Sequence, residues 1–175
     1  MTGVTPDHLH RFVERAAARL RGDWVLLDGA VLPLLGLEIR VTLDIDVAGP
    51  DGATQADVVT LLEIAVECGL PPEAVNTAGA FFLRALPGWR DDLVVVRRGE
   101  HGRILRPGTT LFVRTKLDRL STADLADCLA LLRHATGQGA PPDRDRLRAE
   151  IDARLAERPH AERAGRLATL RAALG

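Results

Sequence analysis

The stretch Thr42-Leu43-Asp44-Ile45-Asp46-Val47 constrains the fold more than any other part of the chain. Its residues alternate strictly between polar and apolar, and alternate side chains of a pleated strand leave on opposite faces. Leu43, Ile45 and Val47 are expected on one face, with Thr42, Asp44 and Asp46 on the other. The Val, Ile and Leu partners mark a central strand. Aspartate is a poor strand former, so two of them there need a reason. Residues two apart lie roughly 6.6 Å apart along a strand, and two carboxylates so placed can converge on one metal cluster. Hard oxygen ligands of this kind favour Mg²⁺ or Mn²⁺ over zinc. A solvated strand face carrying two acids is the alternative, and the pattern alone does not choose between them.

Local signals organise the rest. Thr5-Pro6-Asp7 is a helix start, and Leu9, Phe12, Val13, Ala16, Ala17 and Leu20 follow at helical spacing up to Gly22. Trp24 to Leu27 is a short buried strand that runs into Asp28-Gly29-Ala30 and a short helix. Thr54 with Asp57, and Ser121 with Asp124, form capping boxes that open two further helices. Residues 81–86 and 92–96 are expected as strands around a Pro87-Gly88 turn, and residues 109–113 as another strand. Residues 143–174 read as two charged helices with a break near Pro159. This order predicts an α+β fold, a mixed β-sheet core with flanking helices over residues 1–137, and a helical C-terminal extension over residues 138–175.

Composition narrows the function classes. With 175 residues, 46% of them apolar, a sizeable core can form, and no apolar run approaches the ~18 residues that span a bilayer. A cytoplasmic protein with no membrane partner is expected. A net charge of −1 gives no overall electrostatic case for nucleic acid. Cys68, Cys128 and the scattered His8, His10, His101, His134 and His160 form no metal-spacing motif. Of 23 Lys plus Arg, only Lys116 is lysine, and Asn76 is the sole asparagine. Drift towards GC-rich codons explains the bias and makes the surviving lysine worth attention.

Four segments occur in an order that resembles the polymerase-beta-like nucleotidyltransferase superfamily, nearest its small bacterial branch of abortive-infection-type toxins. They are Leu27-Asp28-Gly29-Ala30, Arg40-Val41-Thr42-Leu43-Asp44-Ile45-Asp46-Val47, Asp91-Asp92-Leu93-Val94-Val95-Val96, and Lys116-Leu117-Asp118-Arg119 followed by Asp124 and Asp127. The resemblance covers residues 20–135. It implies transfer of a nucleoside monophosphate from an NTP to an RNA, protein or small-molecule acceptor, with Mg²⁺ or Mn²⁺ as cofactor. A toxin with an antitoxin partner would fit that branch. It also implies that Asp44, Asp46 and Asp92 are the catalytic and metal-binding acids, and that Gly29, Arg40, Thr42 and Lys116 contact the nucleotide. Where the branch has a Gly-Gly or Gly-Ser turn, this chain has Asp28-Gly29. A carboxylate there would repel a triphosphate, which keeps a non-catalytic module that binds a partner or nucleotide as the alternative. Each residue also has a plainer role. Gly29 could serve the turn, Arg40 could pair with nearby acids, Thr42 could favour the strand, and Arg119, Asp124 and Asp127 read first as ion pairs or caps.

Overall fold

The computed structural model describes residues 3–37 and 41–175. They form an α+β structure of two compact units, Met1–Pro107 and Gly108–Gly175. The boundary falls before the one expected at 137/138. The reason is helical packing: the helices of residues 109–116 and 122–137 pack with the two C-terminal helices.

The first unit begins with α1 (Pro6–Arg19), whose N-terminus is closed by a Thr5–His8 capping box with proline in the first turn. Its buried stripe, Leu9, Phe12, Val13, Ala16 and Ala17, follows the helical period. β1 (Gly22–Leu27) is the middle strand of a five-stranded mixed sheet. It runs antiparallel to β2 (Ile45–Ala48), with Leu26 opposite Val47 and Leu27 opposite Asp46. The remaining elements are α3 (Gln55–Glu67), β3 (Val75–Asn76), α4 (Gly79–Arg84), β4 (Leu93–Arg98) and β5 (Gly102–Pro107), with α2 (Val31–Leu34) following β1. Strand order is β3-β2-β1-β5-β4; β1–β5 and β2–β3 are parallel, and β4–β5 is antiparallel.

One sheet face carries Trp24, Leu26, Ile45, Val47 and Ile104, which share a core with the α1 stripe and with Leu61, Ile64 and Ala65 of α3. By the pleat, Leu27 and Asp46 belong to the opposite face. The turn between β4 and β5 lies directly against the end of α1. A side chain at Gly99 would meet the Ala17 carbonyl, and one at Gly102 the Leu20 carbonyl, so only glycine fits.

Three expected strands change in the structure. Residues 81–86 contribute to α4, where Leu83 is buried and Phe81 and Phe82 face solvent. Residues 109–113 open α5 (Thr109–Lys116), with Leu111, Phe112 and Val113 all buried. Both are short apolar runs, whose period does not separate a buried strand from a buried helix. In the 42–47 segment, regular pairing starts only at Ile45. Thr42 is buried in an isolated bridge to Val4, and Leu43 is 50% exposed instead of joining the core. β5 itself was not expected, because its arginines break the apolar pattern.

The second unit contains α5, α6 (Thr122–Gly137), α7 (Arg144–Ala156) and α8 (Ala161–Ala172). Its buried residues include Phe112, Leu117, Leu120, Leu131, Leu147, Ile151, Leu167 and Leu170.

Each unit carries one fully buried cysteine, Cys68 and Cys128. Burial raises both thiols above their ordinary value, Cys128 to about 12. Thiolate is the reacting form, so native protein at pH 8 is expected to give no prompt reaction with an aromatic disulfide reagent. Both thiols should titrate after denaturation in urea. Release of the coloured thiolate from native protein within minutes would contradict this packing.

Candidate metal and nucleotide site

Asp46 occupies the centre of the candidate site. It is half-buried on β2, between Leu27 of β1 and Asn76 of β3. Asn76 Nδ2 donates to Asp46 Oδ1 at 2.7 Å, while Asn76 Oδ1 accepts from the Ala78 backbone N–H at 3.0 Å. Asp44 lies just before β2 and is exposed.

The turn expected to meet phosphate follows β1 directly. Asp28–Ala30 forms a single 3₁₀ turn, so the Leu27–Asp46 pairing puts the start of this turn beside the acidic strand. Asp28 takes φ 54°, the left-handed backbone otherwise left to glycine, while Gly29 is buried and does not have a positive φ. The special conformation thus falls on the aspartate and not on the glycine beside it. Such a residue costs roughly 1–3 kcal/mol and persists where its surroundings fix it. α4 starts close by, since a side chain at Gly79 would lie 3.1 Å from Leu27 Cδ1.

The structure places Thr42 and Asp92 elsewhere in the first unit. Thr42 is buried, its carbonyl accepting from the Val4 N–H at 2.8 Å. Arg40 lies outside the described residues. Asp92 ends a 3₁₀ turn, Trp89–Asp92, that leads into the edge strand β4. β1 and β5 separate β4 from β2. At roughly 4.8 Å per strand this puts Asp92 on the order of 14 Å from Asp46. Burial lowers the Arg106 guanidinium, and the charge of Asp92 works against that shift. Among the described residues, no group of three or more His, Cys, Asp or Glu side chains could hold a metal ion. Asp44, Asp46 and Asp92 therefore do not form a preassembled triad.

Lys116 is buried in the helical unit, 2% exposed, with Nζ 3.1 Å from an Asp124 carboxylate oxygen. Asp124 also closes the Ser121 capping box and accepts two hydrogen bonds from Arg119, at 2.8 and 2.7 Å.

One residue of the site, Asn76, escapes a motif reading, and for Asp28 the motif shows the residue but not its left-handed conformation. The one signal for Asn76 is its singularity in the chain. No family model, curated protein or solved structure matches this chain. Among the described residues, no helix is long and apolar enough to cross a membrane.

Proposed function

We propose that this chain is a metal-dependent nucleotidyltransferase of the polymerase-beta-like kind, which moves a nucleoside monophosphate from an NTP to an RNA, protein or small-molecule acceptor. The observation that carries the proposal is the β1–β2 register: Leu27 opposite Asp46 brings the Asp28–Ala30 turn beside the acid-bearing strand. Mg²⁺ is commonly held by one or two carboxylates together with substrate phosphates, and not by an all-protein cage. Asp44, exposed, and Asp46, half-buried, supply that number of hard oxygen ligands. A bound Mg²⁺ or Mn²⁺ would offset phosphate charge and orient the α-phosphate for in-line attack. The backbone of the Gly29 turn would approach the nucleotide. Asp92, which ends the turn before the edge strand β4, is left out of this arrangement. A role as a toxin held by an antitoxin belongs to the same proposal.

A second proposal is a non-catalytic module of this fold that binds a partner or nucleotide. Asp28 favours it, because a carboxylate at the first position of the turn opposes a triphosphate.

The test is incubation with labelled NTPs, Mg²⁺ or Mn²⁺, and added RNA or protein. Label retained on the acceptor with wild type and lost with Asp46→Asn supports transfer. Nucleotide binding without label transfer supports the module. Absence of both binding and transfer would remove the transferase and leave, of the module, only the binding of a partner.

A further inference from the structure

We infer that Asn76 is a positioning residue for the Asp46 carboxylate, an inference that rests on the metal-dependent reading above and extends it. A carboxylate binds a cation well only when its oxygens are aimed, and the terminal torsion of aspartate is broad when nothing holds it. Asn76 supplies one such hold. Its Nδ2 meets Asp46 Oδ1 at 2.7 Å, and its Oδ1 accepts from Ala78 N–H at 3.0 Å. A carboxamide has one donor end and one acceptor end, so these two partners fix which end faces which. Reversal would set oxygen against carboxylate and N–H₂ against N–H. The backbone at Ala78 thereby orients Asn76, and Asn76 orients Asp46.

The architecture delivers this contact. β3 consists only of Val75 and Asn76, paired in parallel with Ile45 and Asp46. Val75 packs against the core while Asn76 meets Asp46. Asn76 is also the sole asparagine in a chain whose basic residues, Lys116 excepted, are all arginine. An arginine at this position would offset the negative charge that a divalent cation needs. A neutral amide holds the carboxylate and leaves its charge in place.

Asn76→Ser separates the two hydrogen bonds. A serine hydroxyl can accept from Ala78 N–H as asparagine does, but is too short to reach Asp46. Mn²⁺ titration by electron paramagnetic resonance on wild type, Asp46→Asn, Asn76→Ser and Asn76→Ala, with melting temperatures for each, tests the inference. Loss of such a supporting hydrogen bond typically lowers metal affinity about 10–100-fold. The expected result is Mn²⁺ binding by wild type, loss of binding in Asp46→Asn, and about tenfold weaker binding in Asn76→Ser at an unchanged melting temperature. Asn76→Ala should weaken binding at least as much. If Asn76→Ser and Asn76→Ala bind Mn²⁺ as wild type does while Asp46→Asn does not, the positioning role is overturned and the metal site stands. If wild type binds Mn²⁺ neither alone nor as its NTP complex, the metal-dependent reading fails and the positioning role with it.

Discussion

Asp124→Ala is expected to cost the helical unit about 3–5 kcal/mol, the range for removing one partner of a buried ion pair. The Asp124 side chain is 1% exposed and Lys116 2% exposed, with Nζ and Oδ1 3.1 Å apart. The same carboxylate accepts from Ser121 N–H at 2.9 Å, Ser121 Oγ at 2.7 Å, and Arg119 at 2.8 and 2.7 Å. Alanine would remove the α6 cap, the Arg119 anchor and the countercharge of a buried ammonium together. Lys116→Met is expected to cost clearly less. It leaves Asp124 with Arg119 and Ser121, and puts a chain of similar length in an apolar site. Urea denaturation followed by circular dichroism measures both variants. Equal losses would show that Lys116, and not the cap, dominates.

The pH dependence has a definite sign. Burial raises the Asp124 carboxyl, but hydrogen bonds from Arg119 and Ser121 and the charge of Lys116 outweigh it, leaving the group well below its ordinary range. A depressed carboxyl stabilises the fold above its unfolded value, near pH 4, and the contribution is lost as pH falls further. Asp124→Ala should therefore flatten the acid limb of the wild-type stability curve.

What the sequence made legible was local. The helix starts at Thr5, Thr54 and Ser121 rest on side chains three residues from the amides they cap, and both expected capping boxes, Thr54–Asp57 and Ser121–Asp124, are present. Asp46 was legible as a strand residue, because a period of two survives even a short strand. The less legible features depend on distant pairings. Asn76 lies 30 positions from the carboxylate it holds, and no spacing rule links them. Asp92 was expected near Asp46, but β5 enters the sheet beside β1 and carries β4 outward. Without β5 in the expected order, that separation could not be foreseen. Lys116 changed surroundings for a related reason. It was expected between a strand and the next helix; as the last residue of α5 it pairs instead with Asp124 of α6.

The same burial predicts a large kinetic effect at Lys116, the only ε-amine in the chain. Acylation requires an accessible, unprotonated amine. Here the ammonium lies 3.1 Å from Asp124 and 5.4 Å from the centre of the Phe112 ring. The turn that follows is fastened from α7 and α8. Arg154 bonds Asp118 at 2.8 Å, Arg163 donates to the Leu117 carbonyl at 3.1 Å, and Arg166 donates to the Leu120 carbonyl at 2.6 Å. Local opening must break these bonds and uncover Leu117 and Leu120, both fully buried, so exposure of Lys116 should follow unfolding of the unit. With stability of even about 5 kcal/mol, the open form is roughly one part in several thousand, and acylation slows by the same factor. Labelling with an acetyl ester of N-hydroxysuccinimide, followed by peptide mass spectrometry, reads Lys116 separately from any α-amine. The expected result is a Lys116 rate roughly a thousandfold or more below that in urea-unfolded protein, with Asp124→Ala removing most of the protection. Native labelling at the unfolded rate would show that the ammonium is accessible and that the Lys116–Asp124 pair does not hold this turn closed.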